Sequence, residues 1–366
     1  MITRRNPPRR ILILKPCCIG DVIFATPLLS ALKRGYPEAA IDWAVGSWSA
    51  AVLSDHPLLD RVLDTGSRAN PASAPRSLWQ LIRMMRAGRY DLLVVPDRSR
   101  WLSLAALLSG IPVRVGLDSG GRGFGYTLRV PINPLQARHE ADIYLDLART
   151  LTLSTADCWA NVGINAASGT IVEEVLAVYV PPDRPLVIVH PGGGVNPGMN
   201  LTAKRWPVAR FGELSRIVAE FTNGLIIVLG SVTDRPLASS LCDSLAHFPG
   251  TSVTDLSGVF DLPQIAALAA LPRTALYIGN DNGIAHLAAA AGAKVLMIFG
   301  PSDPHRYAPF VAAQRAAVAW RPVSVPAQGV TGRQEVGFDW VRDGVSVAEA
   351  WQQAEKLLEG EAYAKK

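Results

Sequence analysis

Asp281 and His286 stand five residues apart, at the point where the polar run Gly279-Asn280-Asp281-Asn282-Gly283 gives way to an alanine-rich stretch. A carboxylate and an imidazole placed together at the start of a helix suit hydroxyls and phosphates, because the positive helix end faces them. Asn and Asp are good N-caps, and Gly283 lets backbone approach a ligand closely. A second polar turn, His190-Pro191-Gly192-Gly193-Gly194, exposes successive N–H groups that can cradle a phosphate. Lys204 follows it and can neutralise a departing diphosphate, and Asp234 is an acidic residue of the kind that takes ribose hydroxyls. Near the N-terminus, Lys15, Gly20 and Asp21 share one turn, where a carboxylate can accept a proton from a hydroxyl. Each group also has a plainer reading. Asp21 can be a helix cap, the glycine triplet a flexible loop, and the alanine-rich stretch a tightly packed helix.

Carboxyl edges of parallel strands would bring these groups to one place. Ala275–Ile278 reads as a strand, Ile284–Ala291 as a small-residue helix and Lys294–Phe299 as a second strand, together a βαβ unit. The same rhythm opens the chain. Ile11–Leu14 reads as a strand, Val22–Arg34 as a helix with Pro27 in its first turns, and Ile41–Val45, Arg61–Asp64, Asp91–Val95 and Val113–Val115 as strands. Leu78–Arg86, Leu102–Leu108 and His139–Leu147 read as helices. Residues 117–130, rich in glycine, read as a mobile loop. Its arginines, Arg122 among them, make this half arginine-rich together with Arg98, Arg100 and Arg114, either as an anion site or as ordinary surface charge. Residues 154–185 look like a passage between domains. A second series follows, with strands at Leu186–Val189 and Leu225–Leu229 and helices at Pro207–Phe221, Asp234–His247 and Leu262–Ala270. Residues 321–337 look irregular, and Val347–Leu358 is amphipathic enough for a closing helix. The expected class is α/β, two doubly wound domains facing each other across a cleft.

A chain of 366 residues is too long for one ordinary core, which makes two domains the default. The net charge of +5 fits an acidic substrate or an anionic membrane surface without singling out either. The apolar run Ile11–Leu14 behind the basic start is too short for a signal peptide or membrane span, so a cytoplasmic protein is expected. Cys17, Cys18, Cys158 and Cys242 show no zinc spacing and no disulfide framework, and the adjacent pair reads as small buried side chains, with a sulfur role as the alternative. Neither GxGxxG nor GxxxxGK[ST] is present, which disfavours a dehydrogenase and a P-loop NTPase. No acidic metal cluster accompanies the candidate groups.

The segment KPCCIGDVIFATPLLSALKRGYP resembles the N-terminal motif of glycosyltransferase family 9, the ADP-heptose:lipopolysaccharide heptosyltransferases. HPGGG, AKRWPVARFGEL, LGSVTDRPLA, GNDNGIAHLAAAAG and FGPSDPHR resemble its donor-side motifs, in the family's order. The resemblance spans nearly the whole chain. It departs at Cys17-Cys18, where a Ser-Ser pair is usual, and around 321–337, where a Cys-containing segment is often found. The resemblance implies the GT-B fold, two Rossmann-like domains. Residues 1–165 would bind the acceptor, 182–340 the nucleotide sugar, and 341–366 would hold a helix packing back toward the N-terminal domain. It implies that Asp21 is the general base and that Lys204 contacts the donor phosphate or sugar. Asp281 would hold heptose hydroxyls, with Asn282 and Gly283 beside the diphosphate, and Asp234 would contact ribose.

The expected function is inverting, metal-independent transfer of a heptose-type sugar from ADP-heptose, with no cofactor. Asp21 and Lys204 are the expected catalytic residues. His190, Gly192, Gly193, Gly194, Asp234, Asp281, Asn282, Gly283 and His286 are the expected donor site. Lys15, Arg98, Arg100 and Arg122 are the expected acceptor contacts, and no residue is assigned to a metal. The expected acceptor is an anionic lipid-linked saccharide resembling a lipopolysaccharide core, met at the inner face of the cytoplasmic membrane. Arg4, Arg5, Arg9 and Arg10 would add a weak pull toward that surface, and no nucleic acid partner is expected. The alternatives are a GT-B enzyme using a UDP-sugar (a transferase or epimerase) and a non-catalytic nucleotide-sugar-binding protein.

Overall fold

The structure, a computed structural model, describes residues 7–133, 135–196, 199–323 and 337–359. Arg4, Arg5 and most of the irregular stretch expected at 321–337 lie outside the described residues. The chain divides into two compact units, Met1–Gly163 and Ile164–Lys366.

In the first unit the elements run β1 (Arg10–Leu14), α1 (Ile19–Phe24), α2 (Thr26–Gly35), β2 (Ala40–Val45), α3 (Ser47–Ala50), β3 (Arg61–Asp64), α4 (Pro75–Gly88), β4 (Leu92–Val95), α5 (Arg100–Ser109), β5 (Val113–Asp118), β6 (Leu128–Pro131) and α6 (Glu140–Thr150). The six strands form one parallel sheet in the order β3-β2-β1-β4-β5-β6. β4 is buried along its whole length, as is β1 after its first residue, as expected for strands covered by helices on both faces. The sheet order reverses between β1 and β4, so the crevice for a ligand lies at their carboxyl ends.

The helix expected over Val22–Arg34 is two helices that meet at Ala25. Pro27 has no N–H to give the carbonyl of Ile23, and that carbonyl accepts the Thr26 hydroxyl instead, at 2.8 Å. Residues 117–130 are also not one loop. β5 runs to Asp118 and β6 pairs beside it. Gly116 is what disguised the strand: a Cβ there would stand 2.3 Å from the ring of buried Tyr126.

In the second unit α7 (Ala166–Tyr179) precedes β7 (Leu186–His190), β8 (Val195–Asn196), β9 (Met199–Asn200), α8 (Val208–Thr222), β10 (Leu225–Val228), α9 (Arg235–Ala246) and β11 (Val253–Asp255). Then come α10 (Leu262–Ala269), β12 (Thr274–Asn280), α11 (Gly283–Ala291), β13 (Val295–Ile298), α12 (Pro304–Tyr307), β14 (Ala316–Ala319) and α13 (Val347–Glu359). The main sheet is again parallel, in the order β11-β10-β7-β12-β13-β14, the same winding as in the first unit once β8 and β9, a small separate hairpin, are set aside. Its order reverses between β7 and β12. The stretch 154–185 is not all passage, because α7 lies inside it and buries Val172 and Leu176. α13 packs on α8 and β14, burying Ala350, Ala354 and Leu357. Among the described residues no helix is long and apolar enough to cross a membrane.

Candidate functional site

Each sheet reversal gathers ionisable groups. In the first unit, Lys15 leaves β1 with its side chain buried, and its Nζ lies 2.9 Å from Asp97 Oδ2 and 3.7 Å from Asp21 Oδ2. Burial alone would depress the ammonium. The charges of Asp21 and Asp97 outweigh it and hold Lys15 well above the usual lysine range. Asp21, in the first turn of α1, keeps 38% of its side chain exposed, and the Tyr144 hydroxyl from α6 stands 3.5 Å from its Oδ1. A carboxylate held at this strand end, half in solvent, can meet a hydroxyl from outside.

The four expected acceptor contacts divide. Lys15 is occupied by Asp97 and Asp21, which makes it a support for Asp21 in this geometry. Arg98 pairs with buried Glu140 at 2.8 Å. Burial works against its charge, but Tyr144 and Glu140 raise its pKa above the usual range. Arg100 and Arg122 are exposed. Cys17 and Cys18 are not the pair of small buried side chains expected. Both are half-buried and their sulfurs are bonded to each other, S–S 2.09 Å. Adjacent cysteines in a turn need no chain folding to meet, so framework spacing does not reveal them.

In the second unit the turn after β7 comes against the turn after β12. Asn280 is wholly buried. Its amide donates to the carbonyls of Pro191 (2.9 Å) and Gly192 (3.0 Å), and its Oδ1 accepts the backbone N–H of Trp206 (2.9 Å). One side chain thereby fixes the glycine turn and the segment bearing Lys204 to the end of β12. The glycines are required by close approach. A Cβ at Gly192 would lie 2.5 Å from Asp234 Oδ1, and one at Gly193 2.7 Å from Asn282 Nδ2. Gly194 has φ +78 and would place a Cβ 2.3 Å from the carbonyl oxygen of Leu201.

Asp281 sits at the centre, 6% exposed. Its Oδ2 accepts Lys204 Nζ at 2.5 Å and the Ser302 hydroxyl at 2.7 Å, while His286 Nε2 stands 3.7 Å from Oδ1. Burial pushes this carboxyl up, but the Lys204 charge and the His286 and Lys204 hydrogen bonds more than reverse that, so it lies below the usual carboxylate range. Asn282 Oδ1 accepts the N–H groups of Ile284 (2.9 Å) and Ala285 (3.1 Å). The charge at the amino end of α11, rather than those two N–H groups, is therefore what this helix offers an anion.

Asp234 closes a capping box, its Oδ2 accepting the Ser231 N–H (2.9 Å) and hydroxyl (2.7 Å). Its other neighbour is His190, 3.8 Å away. Burial again raises it, and the His190 and Ser231 bonds bring it below the usual range. Among the described residues no group of three or more His, Cys, Asp or Glu could hold a metal ion.

Sequence reasoning missed Asn280 and Ser302. The signal for Asn280 was a lone amide ending an otherwise apolar strand. For Ser302 it was a hydroxyl in the polar turn Gly300-Pro301-Ser302-Asp303 after the next strand.

The chain is 25% identical to lipopolysaccharide heptosyltransferase 3 of Escherichia coli over 78% of this chain and 81% of that one. It is 26% identical to lipopolysaccharide heptosyltransferase 1 of Pseudomonas aeruginosa over 81% of this chain and 79% of that one. Among solved structures, a family 9 glycosyl transferase of Veillonella parvula shares the fold with a TM-score of 0.77 at 21% identity, covering 96% of this chain and 97% of that one. The ADP-heptose heptosyltransferase II of E. coli gives a TM-score of 0.73 at 21% identity, covering 96% and 99%. The expected pair of Rossmann-like sheets is thus the fold of these GT-B proteins. A family model for glycosyltransferase family 9 (heptosyltransferase) matches residues 78–326, and this chain, with the parallel sheets described above, belongs to that family and is a glycosyltransferase.

Proposed function

We propose that the protein transfers a heptose-type sugar from ADP-heptose to a hydroxyl of an anionic, lipid-linked saccharide resembling a lipopolysaccharide core, with inversion at the anomeric carbon. The observation that carries this reading is the buried Lys204–Asp281 pair at the second sheet's reversal, against the glycine turn. An ionised carboxylate there accepts from sugar hydroxyls, and the adjacent ammonium faces a diphosphate. The relatives' names supply the sugar and the acceptor class.

Asp21 takes the proton of the acceptor hydroxyl as that oxygen bonds the anomeric carbon. The bond from that carbon to the diphosphate oxygen breaks on the opposite face, and ADP leaves with the electron pair. Lys204, the Gly192–Gly194 turn, Asn282, Gly283 and the amino end of α11 stabilise the charge that develops. His190 and Asp234 support the turn, with Asp234 near the ribose, and His286 steadies Asp281. Arg98, Arg100 and Arg122 belong to the acceptor side, where guanidinium groups suit phosphate and carboxylate. Lys204 supplies the positive charge at the leaving group, and no metal takes part. The reading also places the enzyme in the cytoplasm, at the inner membrane face.

Proton NMR of the product made from ADP-β-heptose tests the proposal. A single α-linked product, formed at the same rate with EDTA, is expected. A β-linked product, a need for added metal, or faster turnover of a UDP-sugar would overturn it.

A further inference from the structure

Positive charge is concentrated in one part of this chain. Residues 65–139 contain eleven arginines, no lysine and three aspartates, a net of +8 where the whole chain carries +5. The rest of the protein is therefore net −3. The three aspartates are all engaged locally: Asp91 accepts the N–H groups of Arg9 and Arg10, Asp97 holds Lys15, and Asp118 accepts the N–H of Gly123. None of them lies on α4 or α5, and neither helix contains any acid.

The exposed residues of these helices form stripes. On α4, Arg76, Trp79, Arg83 and Arg86 fall at spacings of three, four and three, all exposed, opposite the buried Leu81, Ile82 and Met85. On α5 the exposed face is Arg100, Trp101, Leu107 and Leu108, with Leu104 half-buried between them, opposite the buried Leu102, Ala105 and Ala106. The Arg86 guanidinium donates to the Leu108 carbonyl at 2.8 Å, which sets the two stripes side by side. The turn 119–127 joins them, because the Gly125 N–H donates to Ser103 Oγ of α5 at 2.8 Å. It adds exposed Phe124 and Arg122. Trp79 is 55% exposed, Trp101 41% and Leu107 46%. Trp101 lies under the Arg100 guanidinium, 5.0 Å from its ring centre.

We propose that this face of α4, α5 and the 119–127 turn is a docking surface for an anionic phospholipid bilayer. Charge complementarity names the occupant. Guanidinium groups bind lipid phosphates in fork geometry while their stems lie on apolar surface. Tryptophans belong at the headgroup level, with one end apolar and the other wet. The exposed Leu107 and Leu108 have no use against a nucleic acid backbone, but they can enter the boundary between headgroups and acyl chains. The placement also serves the chemistry. α5 begins three residues after Asp97, which holds Lys15 beside Asp21, so the docking face starts at the edge where an acceptor hydroxyl must arrive. The purpose rests on the proposed lipid-linked acceptor, whereas the docking itself stands on this surface alone.

The test is cosedimentation of the full chain with phosphatidylcholine vesicles, with and without phosphatidylglycerol. Binding is expected only with the anionic lipid, weakening as salt is raised. Each arginine is worth roughly a fivefold change in partition, so the Arg76→Glu/Arg83→Glu variant should lose well over tenfold. Trp79→Ala and Leu107→Ala should each weaken binding without abolishing its salt dependence. All these variants should keep the wild-type unfolding temperature and the wild-type rate on a delipidated, water-soluble acceptor. Equal binding to neutral vesicles, unchanged binding by the charge-reversed variant, tighter binding to duplex DNA, or a dimer that these substitutions dissolve would each overturn the proposal. Docking by a protein that turns over no ADP-heptose would instead overturn the proposed reaction and leave the surface assigned.

Discussion

Replacing Lys204 by methionine tests the energetic centre of the second unit. The Asp281 side chain is 6% exposed and that of Lys204 14%, with 2.5 Å between their charged atoms. Removing one partner of a pair this deeply buried costs about 3–5 kcal/mol, because the other charge stays behind without water. Ser302 at 2.7 Å and His286 at 3.7 Å still face the carboxylate, which argues for the low end of that range. A unit of this size shifts by ~2–4 °C per kcal/mol, so thermal unfolding should fall by roughly 6–12 °C. The double variant Lys204→Met/Asp281→Leu removes both charges, and much of the loss should return. Calorimetric binding then separates stability from ligand contact. If Lys204 faces a diphosphate, the Lys204→Met change weakens ADP binding more than AMP binding. A single variant as stable as the wild type would show that the pair is not buried as described. Equal loss of affinity for the two nucleotides would remove Lys204 from the leaving group.

Further outcomes can be read in the same way. Asp21→Asn keeps shape and removes basicity, so kcat should fall about 10²-fold or more with ADP affinity little changed; near-normal turnover would exclude Asp21 as the base. Gly194→Ala forces a side chain into a left-handed conformation, 2.3 Å from a carbonyl oxygen, so the turn must shift. The donor KM should rise while Asp21-dependent steps and the first unit's stability stay as they are; an unchanged donor KM would mean that the turn does not hold the donor. Asp281 and Asp234 both have folded pKa values below the usual range. A carboxyl depressed in the folded state contributes stability above its unfolded pKa of about 3.9, and that stability is lost as the pH falls toward the folded value. Urea midpoints should therefore drop steeply below about pH 4, and less steeply in Asp281→Asn. Equal slopes would show that Asp281 carries no such linkage.

What could be read from the sequence, and what could not, follows from where each interaction is encoded. Strands buried on both faces, such as Leu92–Val95 and Val295–Ile298, announce themselves as apolar runs. Edge strands mostly do not, Arg61–Asp64 being the one that was legible. Val253–Asp255 and Ala316–Ala319 are short and mostly half-exposed, and only pairing to a neighbour makes them strands. Charged side chains on the turns were visible by type and spacing, yet their partners were not. Lys15 reads as a cation open to an acceptor, but Asp97 arrives from the turn after β4, 82 positions away, and pairs with it. Asp281 reads as a hydroxyl holder, and Lys204, 77 positions earlier, keeps it ionised. The clearest case is the winding itself. Both units adopt the same strand order although no internal repeat is evident between them, because that order is a property of pairing across the sheet. Each reversal then sets two turns from distant parts of the chain side by side: 15–21 with 97–98, and 190–194 with 280–283. A sequence can nominate each turn separately. The chemistry needs both members of each pair, and the parallel sheet is what joins them.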